Sequence, residues 1–304
     1  MVWSIESAAK LYGVNNWGAE YFSVNNDGEV VVAPFGAAEG PKVSLLEIIQ
    51  QIEARGHSMP VLLRIENILG SQIKLLNGTF AKVIQETGYQ GKYRGVFPIK
   101  VNQQEQVIDA ITEFGREFNH GLEVGSKSEL IAGISMLKNR NACLICNGYK
   151  DEEFIDLGLY SIKMGYQVFF VVEVPGEIEL IIDRAKFHGI TPNIGLRIKL
   201  STQAEGKWSD SGGDSSVFGL NMCHVVDVID RLKEEDMLSC MQLLHYHIGS
   251  QIPNISDIRA GAMEACRLYE ELVKEGAPMG YLDLGGGLAV DYDGSNTNSL
   301  SSRN

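Results

Sequence analysis

The sequence alternates short apolar runs with longer amphipathic runs, and this alternation restricts the fold more than any other feature. Apolar runs rich in β-branched residues are candidate strands, and patterns with a helical period separate most of them. β–α units in series build a parallel sheet that helices cover on both faces. We predict eight strands: VLLRIEN (61–67), RGVFPIKV (94–101), GLEVG (121–125), ACLICNG (142–148), QVFFVVEV (167–174), NIGLRIKL (193–200), MQLLHYHIG (241–249) and YLDLGGG (281–287).

Eight such strands over residues 61–294 indicate an α/β fold of the (β/α)8 barrel type. The competing architecture is an open doubly wound sheet, in which a ligand binds where the strand order reverses. Polar residues at or near the ends of strands two to eight favour the barrel, because there they would form a ring around one mouth. These residues are Lys100, Glu123, Asn147, Glu173, Arg197, Lys199, His245, His247 and Gly285. The predicted helices are 105–118, 126–137, 177–189 and 255–276.

Two segments are predicted to lie outside the barrel. Residues 1–60 include YFSVNNDGEVVVAPFG, in which two β runs flank Asn-Asn-Asp-Gly and indicate a hairpin. Residues 295–304, SNTNSLSSRN, form a polar tail at the point where the eighth strand should be followed by its helix. A barrel should not stop there, so we expect either that the chain is a fragment of a longer protein or that something else covers that strand.

Composition narrows the classes of partner and the compartment. A net charge of -13 argues against nucleic acid and anionic membranes. No apolar run reaches the roughly 18 residues of a transmembrane helix, and the N-terminus lacks a secretory signal pattern. The cysteines number five, and an odd number fits reduced thiols in the cytoplasm. Cys143-x-x-Cys146 could be a redox or zinc pair, but its place in an apolar strand favours buried thiols.

Lys100 is the first candidate for chemistry, since it ends an apolar strand and shares a face with Val96 and Pro98. One interpretation is a lysine that extends its amine to the barrel rim. Another is a partly desolvated lysine whose free amine attacks a carbonyl. On spacing alone, this second interpretation fits both a cofactor-binding lysine and the lysine of a class I aldolase.

The glycines Gly285, Gly286 and Gly287 follow Asp283 and Leu284 at the end of strand eight. Three glycines in a row either make a tight turn or let backbone N–H groups approach an anion. Phosphate commonly binds beside the last two strands of a barrel, and strand seven is followed by Ser250, a further donor. Phosphate binding is therefore the favoured interpretation.

Two histidines, His245 and His247, point to one face of strand seven. They could share a metal, although no third ligand is evident, and the metal site remains unknown. His247 suits stacking on an aromatic cofactor, whereas His245 fits a buried core histidine. Glu123 and Arg197 could each act near Lys100 or form a rim salt bridge. The Gly-, Ser- and Asp-rich segment 208–221 is typical of a loop over the mouth.

Five segments together resemble biosynthetic arginine decarboxylases. They are VFPIKVNQQ, GLEVGSKSEL, ICNGYKDEEFI, HYHIGSQI and LDLGGGLAVDYDGS, and LYGVNNWGAEYFSVN near the start resembles the same enzymes. These enzymes have an alanine-racemase-like barrel that binds pyridoxal 5'-phosphate, as do ornithine and diaminopimelate decarboxylases. The resemblance implies decarboxylation of L-arginine to agmatine and CO2 in polyamine and spermidine biosynthesis. A related decarboxylase, or a truncated cofactor-binding protein without catalysis, remains an alternative.

The resemblance also implies roles for individual residues. Lys100 matches the lysine that binds the cofactor covalently, and His247 matches the histidine that stacks on its ring. Ser250 and Gly285–Gly287 match the phosphate cradle, and Glu123 and Arg197 match supporting residues around the cofactor. The substrate-associated stretch matches Leu282, Asp283, Leu284, Gly285, Gly286, Gly287, Leu288, Ala289, Val290 and Asp291.

Beyond the site, the resemblance implies a homo-oligomer, a cytoplasmic enzyme and magnesium. Val217 stands where the family usually has a lysine before Phe-Gly. The family continues far beyond residue 304, and its second half normally supplies a β-domain, the acidic partner of the pyridine nitrogen, and a cysteine and a tyrosine of the paired active site.

Overall fold

The computed structural model describes residues 3–37, 40–201 and 218–292. The chain divides into two compact units. One runs to Lys92 and resumes at Val290, and the other is Tyr93–Ala289. No helix in these described ranges is both long and apolar enough to cross a membrane.

The first unit contains a small antiparallel sheet and four helices. The sheet has the order β1-β2-β3, and β1 and β2 form the predicted hairpin. Asn25 makes its turn, because its side-chain oxygen accepts from the N–H groups of Asp27 and Glu29. The elements are α1 (Ile5–Leu11), α2 (Val14–Trp17), β1 (Phe22–Val24), β2 (Val30–Val32), β3 (Val43–Ser44), α3 (Leu45–Ala54) and α4 (Glu66–Thr87).

The second unit is built on a parallel sheet of seven strands in the order β10-β9-β8-β7-β6-β5-β4. Neighbours in space are neighbours in sequence, as successive β–α units require. The strands are β4 (Val96–Pro98), β5 (Gly121–Val124), β6 (Cys143–Cys146), β7 (Gln167–Val172), β8 (Ile194–Ile198), β9 (Met241–His247) and β10 (Tyr281–Gly285).

Predicted strands two to eight are confirmed, whereas the first predicted strand is wrong. Residues 61–65 join no ladder in the described structure, and Glu66 already begins α4. Leu62 is 78% exposed, so the apolar run does not pack as a strand would. An apolar β-branched run forms a strand only where a neighbour pairs with it, and pattern alone cannot supply that neighbour. The fold is still of the barrel type, but the sheet has seven strands.

Helices follow the strands, and all four predicted helical segments are confirmed. Three helices of this unit begin at side-chain caps, where Ser126, Asp151 and Asn221 accept from backbone N–H groups of the first turn. The helices are α5 (Glu105–Phe114), α6 (Lys127–Met136), α7 (Glu152–Lys163), α8 (Glu177–His188), α9 (Met222–Glu234) and α10 (Ile255–Lys274).

The two faces of this sheet have separate apolar cores. The large core lies between the sheet and the helices, and it includes Leu122, Leu144 and Phe170. The small core lies on the other face and is formed by Cys143, Ile145, Phe169, Val171 and Leu243. Val96 of β4 and Tyr281 of β10 both pack on this inner core. Because these strands are the two ends of the sheet order, the sheet must curl around its inner face.

Candidate active site

The polar residues predicted at the strand ends lie on the inner face of the curled sheet, beyond the inner core. Strand register places them at neighbouring levels near the C-terminal ends of the strands, and these levels together are called the polar layer. Pro98 is opposite Glu123, Arg197 is opposite His245, and Gly285 is opposite His247. The C-terminal ends of parallel strands are where barrels carry their active sites.

Lys100 lies in a single 3-10 turn, Ile99–Val101, that follows β4 directly. Its Nζ lies 3.3 Å from Glu123 Oε1. The Glu123 side chain is 8% exposed, whereas that of Lys100 is 59% exposed. The turn carries the Lys100 amine to the rim, and its role as a nucleophile stays a prediction. The amine remains accessible, and a buried carboxylate holds it in place.

Arg197, near the end of β8, pairs with a carboxylate from the neighbouring strand. Its Nη1 donates to Glu173 Oε1 at 2.8 Å, and its guanidinium lies 5.7 Å from the centre of the Phe218 ring. Glu173 follows β7 and is 2% exposed. Burial opposes ionisation of Glu173, but the charges of Arg197 and Lys150 outweigh it and hold the pKa of Glu173 below its ordinary value.

His247 is neutral at physiological pH. Burial, followed by the positive charges of Arg197, His245 and Lys100, lowers the pKa of His247 to about 4. Since these groups affect the pKa of His247, the side chains that follow β4 and lie on β8 and β9 must be close to one another. A neutral imidazole there offers an aromatic face without adding to the positive charge of the site.

His245 lies deeper on the same face of β9 and meets Asp283 of β10. His245 Nδ1 and Asp283 Oδ2 are 3.0 Å apart, which is an ion-pair distance, but Nδ1 lacks an aligned hydrogen-bond acceptor. His245 is 5% exposed, in keeping with its interpretation as a buried histidine. The pair joins the two strands that carry Ser250 and the glycines.

Several buried polar atoms of this layer have no hydrogen-bond partner within the described residues. Buried polar groups almost always have a partner, so a cluster of unpaired atoms marks a place where a ligand or water is needed. The atoms on the inner face are Glu123 Oε2, Asn147 Oδ1, Glu173 Oε2 and His245 Nδ1. They come from four different strand ends, and all lie in the polar layer.

The glycines after β10 pack tightly against the end of β9. A Cβ on Gly285 would lie 2.4 Å from the Tyr246 carbonyl oxygen, and Gly286 has a φ of +120°, so neither position accepts another residue without strain. Gly287 differs, because a Cβ there would lie 3.5 Å from Ser250 Oγ, an ordinary contact. The Gly287 N–H donates to the Gly249 carbonyl at 2.9 Å. A methyl group at Gly287 would therefore fit in contact with Ser250. The Gly287 amide was predicted to be free for an anion, but in this structure it is already hydrogen-bonded.

The predicted substrate-associated stretch is divided between the two units. Leu282–Gly285 belong to β10, and Leu288 makes a β-bridge with Ile252 in the loop after β9. Leu284 and Leu288 are about half exposed, at 48% and 54%. Val290 and Asp291 fall in the other unit.

The remaining predictions concern loops and metals. Most of the predicted mouth loop and Val217 lie outside the described residues; of that segment, Asn221 caps α9 through the N–H of His224.

Among the described residues, no three His, Cys, Asp or Glu side chains meet as a metal site. Cys146 is fully buried, and burial raises its pKa to about 12, which fits an unreactive thiol.

Sequence reasoning missed the acidic and amide groups that complete the layer. The sequence gives Glu173 and Asn147 no role beyond their place at strand ends, yet both carry unpaired buried oxygens here. It also missed Lys150, which is buried with Glu177 directly behind this layer. Position at a strand end was the available signal for Glu173 and Asn147. Nothing in the local pattern marks Lys150, since lysines in loops are usually exposed.

Comparison with known proteins agrees with this geometry. The chain matches the family described as pyridoxal-dependent decarboxylase, pyridoxal binding domain, over residues 76–302. The biosynthetic arginine decarboxylase of Gloeobacter violaceus is 46% identical over 302 residues, which are 99% of this chain and 47% of that protein. The chain therefore spans about half the length of the curated relatives it matches.

Solved structures are similar in fold. The crystal structure of biosynthetic arginine decarboxylase from Campylobacter jejuni has a TM-score of 0.85 and 34% identity, and it covers 96% of this chain and 47% of its own. Diaminopimelate decarboxylase from M. jannaschii, with a TM-score of 0.68 and 21% identity over 93% of this chain and 59% of its own, shares the fold. From the matching region and the layer of strand-end residues within it, the chain belongs to the pyridoxal-dependent decarboxylase family and contains that family's pyridoxal binding domain.

Proposed function

We propose that this chain binds pyridoxal phosphate through Lys100 and is the cofactor-binding part of an enzyme that decarboxylates L-arginine to agmatine and CO2. The observation that carries the proposal is the Lys100–Glu123 pair, because it combines an accessible amine with a buried carboxylate in the same layer as His247. The choice of arginine rests on relatives named biosynthetic arginine decarboxylase, at 46% and 45% identity over 99% of the chain.

The residues present fit this cofactor. The unpaired buried oxygens of Glu123, Asn147 and Glu173, at three strand ends, provide polar partners for a ligand. The position beside Ser250 Oγ that a Cβ on Gly287 would fill is a candidate cradle for the phosphate group. Lys100 would hold the aldehyde group, His247 the ring face, and Ser250 with the glycines the phosphate. When bound, pyridoxal phosphate supplies the conjugated ring that accepts the electrons left behind by CO2.

The chain's own groups have separate tasks in this mechanism. Lys100 provides the nucleophilic amine, and Glu123 keeps that amine at the rim through the 3.3 Å pair. His247 stays neutral, so it orients a flat ring without taking a proton at physiological pH. Arg197, fixed by Glu173 at 2.8 Å, places a permanent positive charge in the layer. Such fixed charges are positioned before the reaction and need no reorganisation during it.

The finer expectations remain part of the proposal. They are a role in polyamine and spermidine biosynthesis, a homo-oligomer, a cytoplasmic location and a requirement for magnesium. Each follows from the resemblance to arginine decarboxylases.

A labelling experiment tests cofactor binding. The chain is incubated with pyridoxal phosphate and reduced with borohydride, and the modified peptide is identified by mass spectrometry. We expect one modified lysine, Lys100, and no modification of that peptide in Lys100→Ala. Lys163→Ala is the matched control, because Lys163 is exposed at the end of α7. Modification at another lysine, or unchanged labelling of Lys100→Ala, would contradict the proposal.

A second assay separates the alternatives. CO2 release is measured with arginine, ornithine and diaminopimelate, using the labelled chain alone and the longer protein that the relatives represent. Release from arginine alone supports the proposal. Release from another substrate favours a related decarboxylase, and labelling without release from any substrate favours a cofactor-binding protein without catalysis.

A further inference from the structure

Lys150 is a lysine buried completely in the second unit. It lies in the loop between β6 and α7, and its side chain is 0% exposed. Its Nζ donates to the carbonyl oxygens of Gly148 at 2.8 Å and Val171 at 2.5 Å. Nζ also lies 3.3 Å from Glu177 Oε2. The ammonium group is thus surrounded by acceptors from its own β–α connection, from β7 and from α8.

Glu177, in the first turn of α8, binds the backbone of two connections, the one between β6 and α7 and the one between β7 and α8. Its Oε1 accepts from the backbone N–H of Lys150 at 3.1 Å. Its Oε2 accepts from the backbone N–H of Glu173 at 2.8 Å. The carboxylate is 2% exposed, so these hydrogen bonds form away from water, where an unpaired group is costly.

The network ends on Glu173, whose side chain faces the site. The Glu173 backbone is fixed by Glu177, and its Oε1 accepts from Arg197 at 2.8 Å. Its Oε2 is one of the unpaired buried atoms of the polar layer. A displacement of Lys150 or Glu177 would therefore move a carboxylate of the layer and the guanidinium attached to it.

Stability alone does not explain a buried ion pair at this place. The desolvation cost of two buried charges often equals or exceeds their attraction, and apolar residues of similar size can replace such a pair without loss. An apolar pair would fill the space behind β6 and β7 equally well. It could not hold the N–H of Glu173 or place a positive charge beside its carboxylate.

We propose that Lys150 and Glu177 are positioning residues of the cofactor site, which fix Glu173 and, through it, the guanidinium of Arg197. Both side chains are buried behind the polar layer, at 0% and 2% exposure. The inference rests on the proposed function, because it assigns a purpose to the site that Lys100 and Arg197 share.

The test is a double-mutant cycle on cofactor affinity in the full chain. The dissociation constant for pyridoxal phosphate is measured for Lys150→Met, Glu173→Gln and the double variant, at a temperature well below each Tm. We expect each single change to weaken binding about tenfold and the double change to weaken it little further, since both act through Arg197. Lys138→Met is the matched control, because Lys138 pairs with Asp109 and Glu113 on the surface.

A measurement without cofactor tests the positioning role independently of the proposed function. The guanidinium N–H signals of Arg197 are followed by NMR and assigned by their loss in Arg197→Lys. We expect the signals to shift and broaden in Lys150→Met but not in Lys138→Met. Glu177→Gln, which keeps the shape of the side chain, gives the same test if Lys150→Met does not fold, and it should also disturb Arg197.

Two results would overturn the inference. One is an Arg197 signal that stays unchanged in a folded Lys150 or Glu177 variant. The other is a set of affinity losses that add in full in the double variant, which would mean that Lys150 acts apart from Glu173. If the unsubstituted chain binds no pyridoxal phosphate but Arg197 responds as expected, the proposed function fails and the positioning network stands.

Discussion

Lys100 Nζ lies 3.3 Å from Glu123 Oε1, and the two partners differ sharply in exposure, at 59% and 8% of their side chains. One oxygen of the buried carboxylate faces the lysine, whereas the other, Oε2, has no hydrogen-bond partner within the described residues. The pair therefore combines an exposed nucleophile with a carboxylate that is incompletely satisfied. A buried polar atom without a hydrogen-bond partner lowers the stability of the fold. Such atoms are kept where they serve function.

Glu123→Gln should separate function from stability. We expect covalent attachment of pyridoxal phosphate to slow about tenfold, because the amine loses the charge that holds it at the rim. The free energy of unfolding should change by less than about 1 kcal/mol, since a pair with an exposed partner contributes little. Attachment rates and urea unfolding measure the two quantities. Glu153→Gln, at an exposed partner of Lys127, is the control. A stability loss of several kcal/mol with unchanged attachment would contradict this account.

The glycines after β10 provide a matched pair of substitutions. Gly285→Ala should destabilise the fold by about 1–3 kcal/mol, because its Cβ would meet the Tyr246 carbonyl oxygen at 2.4 Å and the His245 ring at 2.5 Å. Gly287→Ala should leave stability within about 1 kcal/mol, since its nearest neighbours are 3.5 Å away and removing a glycine restricts the unfolded chain.

Gly287→Ala should nevertheless weaken binding of pyridoxal phosphate, about tenfold, since the new methyl group fills the space beside Ser250. Thermal unfolding gives the stabilities, and absorbance titration gives the affinities. Equal affinity of Gly287→Ala and the unsubstituted chain would mean that the phosphate lies elsewhere.

Most of this architecture could be predicted from sequence because each strand carries its own signal. Strands two to eight are apolar runs that pack on both faces, so local pattern and final environment agree. Residues 61–67 have the same pattern but no partner strand within the described structure, and pairing is a property of distant residues. The candidate site could be predicted for a similar reason, since polar residues at strand ends converge wherever a parallel sheet curls.

What could not be predicted depends on contacts between distant residues. The 3-10 turn that exposes Lys100 and the hydrogen bond that occupies the Gly287 amide both depend on the exact path of a loop. Lys150 becomes buried because the carbonyl oxygens of Gly148 and Val171 and the carboxylate of Glu177 surround it, and these groups are up to 27 residues away in sequence. No local pattern distinguishes such a lysine from a solvated one.

The N-terminal end of the barrel sheet should tolerate changes without effect on the cofactor. There the Gln167 side chain joins Arg94 to Tyr281, with Gln167 Nε2 donating to the Tyr281 hydroxyl at 2.5 Å. Tyr281→Phe removes this hydrogen bond and should cost about 1 kcal/mol of stability. Because the inner core separates Tyr281 from the polar layer, cofactor affinity should stay the same. Urea unfolding and absorbance titration measure the two effects, and a parallel loss of affinity would show that the two ends are coupled.

Acid should destabilise the protein through His247 in a defined pH range. The pKa of His247 is about 4 in the folded chain, because burial and the charges of Arg197, His245 and Lys100 disfavour its protonation, whereas an unfolded histidine has a pKa of about 6.5. Between these values only the unfolded chain binds the proton, so stability is complete above pH 6.5 and falls as the pH drops toward 4. The loss from this residue should be at most about 3 kcal/mol, and less where water screens the ring.

Replacing the imidazole should remove this part of the pH dependence. His247→Gln should therefore show a flatter fall of unfolding free energy between pH 6.5 and pH 4 than the unsubstituted chain, measured by urea unfolding at several pH values. His120 is the matched control, because burial also lowers its pKa to about 4 although it lies at the opposite end of β5 from Glu123. His120→Gln should flatten the curve similarly but leave cofactor affinity unchanged, whereas His247→Gln should weaken it. Parallel curves for His247→Gln and the unsubstituted chain would show that His247 titrates alike in the folded and unfolded states. The proposal that His247 presents a neutral ring to the cofactor would then lose its support.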